Sequence, residues 1–401
     1  MMPRRVRRCL PSTLTWTSRL DATPATRWQA VASAFAPRLQ AIAEWQMSFR
    51  GAPASGRAGG RRRGSGGRSK AKGREARQQS VGERLLAKYA AEEAPRMLQA
   101  LRDAGTAEAE LAEELAGVAS AAGVGLQALA MLSLQYEAYC ACTLIVMPTE
   151  DGSVALARTL DWELPQLKLL NIDVRVHRRG RLLYTATTWA GYIGILTAQR
   201  PGKYCAAVNF RERSADDDAA PGAGATLPVG LAMRLALDRC ATYADFVAEI
   251  AAVPCMAPFY CVVASSSGEA AQITRSTLAE LPRRTLGGDV LHLLQANMDS
   301  WDTDPANDTQ ESLKRCATAE ELLQVALERG FATEDELWKV LWTYPIYEEG
   351  VTLYCTVMNP AAGTFRSLAE PPEDALTRRR KAPTKPKARG GAGGGTKRPK
   401  N

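Results

Sequence analysis

The sequence predicts an α+β fold, two stacked antiparallel sheets with helices outside them. Three observations carry that expectation. Apolar runs of strand length occur in pairs about Gly- and Pro-containing turns, the signature of β-hairpins. These pairs bracket a block with helical periodicity at 228–253. No run approaches the roughly 18 apolar residues that span a bilayer, so the patterned faces are expected to bury one another.

Taken in order, a short strand at Leu14–Arg19 precedes Pro24, and a helix from about Ala25 lines up Trp28, Val31, Phe35, Leu39 and Ile42. Residues 81–135 read as helices. Leu85, Leu86, Tyr89, Met97, Leu98 and Leu101 share a stripe that Pro95 kinks or breaks, and Gly105-Thr106 marks a stop and a new N-cap. Leu111, Leu115 and Val118 lead to a break at Gly123-Val124-Gly125, and a final helix spans Leu126 to Tyr139.

That helix runs into the stretch that organises the rest, Cys140 to Trp162. A strand at Thr143–Val146 and a second ending at Asp161 fold back about Pro148–Gly152, which puts Cys142 roughly opposite Thr159. Arg158 and Asp161 then flank the thiol across the ladder. Strict alternation sets those two on opposite faces, so both reach it only if the strand bulges or ends between them. A thiol beside a fixed cation is disposed to ionise. The same residues also read as an ordinary core hairpin with an inert cysteine.

Hairpins follow about Arg179-Gly180 and Arg200-Pro201-Gly202, then helices at 228–240 and 243–253 and strands at 259–264 and 271–274. A segment carrying Asn297, helices at 311–328 and 334–343, and a hairpin at 351–365 complete the chain.

The net charge of +8 is unevenly spread. Residues 51–73 hold 7 Lys or Arg and residues 377–401 hold 10, with no acid in either, so the remainder has 34 bases against 43 acids, a net of −9. The Gly- and Pro-rich segments at 50–80 and 371–401 are expected to be disordered, because they cannot bury a core. They read as solvated linkers, or as contacts to nucleic acid or anionic membrane. Nine cysteines, an odd number with no C-x-x-C, suggest a reduced compartment and no zinc or other metal site. The basic N-terminus lacks the apolar core of a secretory signal, which leaves the compartment open.

Cys142-Thr143-x-Ile145-Val146, with Arg158 sixteen residues on and Asp161 nineteen on, resembles the nucleophile strand of the acid ceramidase and N-acylethanolamine acid amidase family. These are N-terminal-nucleophile hydrolases related to choloylglycine hydrolases. The likeness extends to "LDATPATRW", to the helical segment ending in Tyr136-Glu137, to Gly191–Gly202 with its strand ending at Asn209, and to "LLQANMDSW" and "VTLYCTVMNP". It covers roughly residues 18–49 and 110–368. Leu144, Thr159 and Ala198 stand where the family has Ser, Asn and Gly, and Glu163–Leu170 is short.

The resemblance implies an αββα four-layer sandwich and the following division: an N-terminal segment at 1–49, a helical pro-segment at 81–141 and a catalytic domain at 142–370. It implies self-cleavage between Ala141 and Cys142, giving a two-chain molecule, with Cys142 as nucleophile and its freed α-amine as base. That base fits a chain whose only histidines are His177, beside an arginine-rich turn, and His292, on an apolar strand. Arg158 would favour the thiolate, Asp161 hold the amine, and Asn209 and Asn297 stabilise the oxyanion. The family's last arginine falls at Lys314 or Arg315, with Arg315 preferred for its forked guanidinium.

The implied activity, without cofactor, is cleavage of fatty-acyl amides, ceramide first and N-acylethanolamine next, presented at a membrane surface. A lysosomal location rests on resemblance only. A choloylglycine- or penicillin-type amidase or acyltransferase is the alternative of like chemistry. A non-catalytic protein binding anionic surfaces or nucleic acid through its tails is the alternative of another class, with nucleic acid the less favoured partner.

Overall fold

A computed structural model of the chain describes residues 14–48, 93–137, 140–213 and 227–372. The helix expected over 81–92, the basic insert at 50–80 and the tail from 373 lie outside the described residues. The compact unit ends at Glu370.

Period-two burial builds two sheets. The first runs β1 (Leu14–Arg19), β4 (Asn171–Arg178), β5 (Arg181–Trp189), β6 (Thr197–Arg200), β7 (Tyr204–Phe210), β8 (Phe259–Ser265), β9 (Ala270–Arg275), β10 (Arg284–Thr285). The second runs β11 (Leu293–Gln295), β2 (Ala141–Pro148), β3 (Val154–Asp161), β12 (Thr352–Asn359), β13 (Thr364–Leu368). Every pairing is antiparallel except β1 with β4, which is parallel. The expectation of purely antiparallel sheets therefore fails at one edge. A parallel neighbour needs a long crossover, and the helical segment plus the β2–β3 hairpin supply it.

The sheets stack face to face. Leu144, Val146, Val154 and Leu156 of the second sheet meet Cys205, Ala207, Val262 and Ala264 of the first in a dry inner layer. Outside, α8 (Tyr243–Ala252) packs on β8 and β9, with α7 (Val229–Arg239) beside it. On the other side α10 (Glu334–Leu341) packs on β3 and β12, next to α9 (Ser312–Arg329). The architecture is an αββα sandwich.

Before β2 the chain is helical: α1 (Gln29–Ala34), α2 (Ala36–Ser48), α3 at 93–103, α4 (Thr106–Ala122) and α5 (Leu126–Leu134). The expected helix from Ala25 is split at Phe35. Pro37 offers no N–H to the preceding turn and restricts Ala36, so α2 starts afresh with Pro37 in its first turn. Trp28, Val31, Phe35, Leu39 and Ile42 are nonetheless all buried, as their spacing predicts. α4 approaches the N-terminal segment so closely that a Cβ on Gly117 would lie 2.0 Å from the Ala25 carbonyl oxygen. α5 stops at Leu134 and continues as a 3-10 turn over Gln135–Glu137, shorter than the helix expected to Tyr139. One apolar core joins residues from the N-terminal segment, the helices and both sheets. Among the described residues no single helix is long and apolar enough to cross a membrane.

Candidate active site

The β2–β3 hairpin turns through a five-residue loop, Thr149–Ser153, closed by Thr149 N–H on the Ser153 carbonyl at 2.8 Å. Gly152 takes the left-handed conformation (φ 78°) that the loop requires. The pivot is Asp151, so Cys142 pairs with Leu160 and Leu144 with Arg158, one position away from the expected Cys142–Thr159 register. Because side chains alternate, Cys142, Leu144, Arg158 and Leu160 face the inner layer, whereas Thr143, Thr159 and Asp161 face the α9–α10 side.

Arg158 and Asp161 therefore do not both flank the thiol. The β2–β3 ladder has no bulge to bring them together. The irregularity lies on β12, between Thr352 and Tyr354, and places Thr352 against Asp161. Asp161 Oδ1 accepts from Thr352 Oγ1 at 2.6 Å and Oδ2 from Thr159 Oγ1 at 2.9 Å.

On the inner face Arg158 is completely buried. Its Nη2 donates to Cys142 Sγ at 3.1 Å and to the Val208 carbonyl at 3.2 Å. Its Nη1 donates to Thr197 Oγ1 at 2.5 Å and to Tyr354 Oη at 3.0 Å. Cys140 Sγ lies 3.7 Å from Cys142 Sγ and donates to the Asp161 carbonyl at 3.3 Å. Burial opposes ionisation of Cys142, but the Cys140 S–H and the Arg158 and Arg315 charges outweigh it and hold the thiol below its ordinary range. Burial and the neighbouring Cys142 push Cys140 well above it, so of the two sulfurs Cys142 is the one disposed to ionise.

On the outer face the choice between Lys314 and Arg315 falls to Arg315. Its Nη1 donates to the Cys142 carbonyl and, at 3.0 Å, to Thr143 Oγ1. Its Nη2 donates to Asn297 Oδ1 at 2.7 Å and to Ser312 Oγ at 3.3 Å. Lys314 points outward to Glu311. Asn297 Oδ1 also accepts from Cys142 N–H at 2.8 Å, and two donors on one oxygen orient the amide. Its Nδ2 donates to the Phe210 carbonyl at 2.7 Å and reaches the Cys140 carbonyl at 3.4 Å. Asp161 is pushed upward by burial, with Arg315 and the two threonine hydroxyls pulling the other way.

Asn209 is placed differently from expectation. Both Nδ2 hydrogens go to the Gln295 and Ala296 carbonyls, at 2.9 and 3.1 Å, so it ties β7 to the segment leading into Asn297 and does not aim a donor at Cys142. Neither histidine joins the cluster. His177 is half-buried with Nδ1 against the Arg175 carbonyl, and His292 faces Glu320 at 3.9 Å.

Five residues before Cys142, Glu137 is buried; Oε1 accepts from Val229 N–H at the start of α7 at 2.8 Å, and Oε2 has no partner among the described residues. Burial pushes its carboxyl up to about 8 against that N–H and Arg213. Cys140, Thr197, Ser312 and Tyr354 escaped the sequence reading. The signal available was their place inside the resembling segments; their contacts cross between elements far apart in the chain.

No family model matches the chain. The N-acylethanolamine-hydrolyzing acid amidase of Caenorhabditis elegans is 28% identical over 267 residues, 63% of this chain and 73% of that protein. The acid ceramidase of Bos taurus is 27% identical over 284 residues, 64% of this chain and 68% of that protein. The chain resembles the acid ceramidase and N-acylethanolamine acid amidase family. Among solved structures, the C. elegans N-acylethanolamine-hydrolyzing acid amidase ortholog aligns with 57% of this chain and 100% of its own, at 27% identity and a TM-score of 0.47. A conjugated bile acid hydrolase from Clostridium perfringens aligns with 57% and 89%, at 11% identity and a TM-score of 0.37.

Proposed function

We propose that this chain is a self-processing cysteine amidohydrolase of the N-terminal-nucleophile type, acting on fatty-acyl amides, ceramide before N-acylethanolamine. The observation that carries the reading is the setting of Cys142: its sulfur sits 3.1 Å from a buried guanidinium and its backbone nitrogen is held by Asn297, with no histidine in the cluster. A nucleophile needs a base, and in this arrangement the base is its own nitrogen once freed.

In the uncut chain Cys142 Sγ adds to the Ala141 carbonyl carbon. The C–N bond breaks as the C–S bond forms, the nitrogen takes a proton, and water hydrolyses the thioester to leave an Ala141 carboxylate and a free Cys142 amine. For substrate, the sulfur adds to the amide carbonyl and the amine relays the proton to the departing nitrogen. Water then releases the fatty acid from the acyl-enzyme. Arg158 supports the thiolate, Asn297 and Arg315 hold the nitrogen and carbonyl of Cys142, and Asp161 supports the amine from the outer face. Asn209 acts through the Gln295–Asn297 segment.

Cys142 is 0% exposed in the uncut chain, so substrate entry requires the site to open. An edge-to-face and stacked series, Tyr136–Trp162–Trp189–Tyr192, adjoins the site. The likeness to the N-acylethanolamine-hydrolyzing acid amidase and acid ceramidase relatives supports a lipid amide over a polar one.

The test is intact-mass spectrometry of the purified protein with a hydrolysis panel. Wild type should yield chains of 141 and 260 residues, the second beginning Cys-Thr-Leu, and should cleave ceramides faster than N-acylethanolamines. Cys142→Ala should stay full length and inactive. A single uncut chain that still hydrolyses acyl amides overturns the N-terminal-nucleophile mechanism, and preference for N-acylethanolamines overturns the substrate order.

A further inference from the structure

The donors of Arg158 can be accounted for one by one. A guanidinium has five N–H groups in a fixed plane. Two are spent on Thr197 Oγ1 and Tyr354 Oη, one on the Val208 carbonyl and one on Cys142 Sγ. The fifth, on Nε, has no partner among the described residues. Tyr354 also carries the guanidinium over its ring, 5.3 Å from the centroid, and its hydroxyl lies 2.9 Å from Thr197 Oγ1. Thr197 comes from β6 of the first sheet and Tyr354 from β12 of the second, so the pair grips Nη1 from both sides of the inner layer. All four side chains are fully buried.

We propose that Thr197 and Tyr354 are positioning residues for the nucleophile: their paired hydroxyls lock the plane of Arg158 and so aim one Nη2–H at Cys142 Sγ. This rests on the reading of Cys142 as nucleophile. A guanidinium free to rotate about its long side chain would divide its donors among the Val208 carbonyl, the two hydroxyls and the sulfur. Held at Nη1, it keeps one plane, and that plane directs a charge-assisted bond at the sulfur. Burial pushes the Tyr354 phenol upward, so it stays a neutral hydroxyl beside the cation.

The test uses Tyr354→Phe, which keeps the ring under the guanidinium, Thr197→Val, which keeps the shape, and Thr197→Ser, which keeps the hydroxyl. In each, the ultraviolet absorbance of the Cys142 thiolate is followed against pH, as the difference from the same protein carrying Cys142→Ser. The pH profile of acyl-amide hydrolysis is recorded alongside. The expected result is an upward move of the thiolate midpoint by about one pH unit in Tyr354→Phe and Thr197→Val, the scale of a loosened charge partner. The acid limb of kcat/KM should follow it with KM little changed, and Thr197→Ser should titrate like wild type.

An unmoved midpoint in both hydroxyl-deleted variants overturns the proposal, as does a Thr197→Ser variant that behaves like Thr197→Val, which would make the residue a packing element. If the midpoints move while hydrolysis does not, the positioning role stands and the nucleophile reading fails.

Discussion

At Glu114 four donors converge on two carboxylate oxygens. Arg27 Nη1 and Arg234 Nη2 each reach Oε1 at 2.8 Å, and Trp28 Nε1 and Arg234 Nη1 reach Oε2 at 2.6 and 2.5 Å. At Cys142 two arginines, Arg158 and Arg315, surround an ionisable sulfur and its backbone, and each leaves Nε without a hydrogen-bond partner among the described residues, as Arg234 does at Glu114. Both centres are buried and built on arginine, yet their chemistry diverges. The first is a structural ion-pair cluster: both oxygens of one carboxylate take two donors each, and the cluster staples the N-terminal segment, α4 and α7 together. The second leaves its balance to a thiol that is either charged or not, which is what a nucleophile requires.

The comparison can be broken at either end. Replacing the nucleophile should have the largest effect: Cys142→Ala should abolish turnover, a loss on the order of 10^6-fold, with the melting temperature little changed. Asp161→Asn comes next, with turnover lower by about 10^2–10^4-fold and stability nearly kept, measured by steady-state kinetics beside thermal melts. Glu114→Ala should invert that pattern. It strands Arg27 and Arg234 in the core, so chemical denaturation should show a loss of about 3–5 kcal/mol, while the folded fraction keeps its specific activity. Should Glu114→Ala remove activity without lowering stability, the division between staple and nucleophile site is wrong.

Glu137 sharpens the contrast through pH. Its carboxyl, ordinarily near 4.5, is pushed up to about 8 by burial, so the folded protein holds a proton that the unfolded chain releases. That contribution to stability is full below about 4.5 and is lost as pH rises through about 8. Melts of Glu137→Gln across that window should show a flatter dependence than wild type. The smallest contrast is between neighbours: Arg315→Lys should cost about 10^2-fold in turnover, because a single ammonium cannot grip Asn297 and the Cys142 carbonyl together. Lys314→Ala should change neither activity nor melting temperature measurably.

The sequence by itself determined the elements, because turn residues and apolar periodicity are local. β1 runs from Leu14 to Arg19 as read, and the hairpins at Arg179-Gly180 and Arg200-Pro201-Gly202 form where the glycines and proline allow them. The resemblance pointed to Cys142, Arg158, Asn297 and, with Lys314 beside it, Arg315, and the structure gathers those four. What only the tertiary structure decided is the side of the sheet on which each one works. One extra residue in the Thr149–Ser153 loop moved Cys142 from Thr159 to Leu160 and left Asp161 facing Thr352. With a side-chain period of two, register decides faces, and register depends on loop geometry that composition leaves open. Partners such as Thr197 and Tyr354, 39 and 196 residues from Arg158, meet it only because two sheets stack, and Asn209 turned from Cys142 to the Gln295–Ala296 carbonyls because a buried amide takes the nearest acceptors the packing offers.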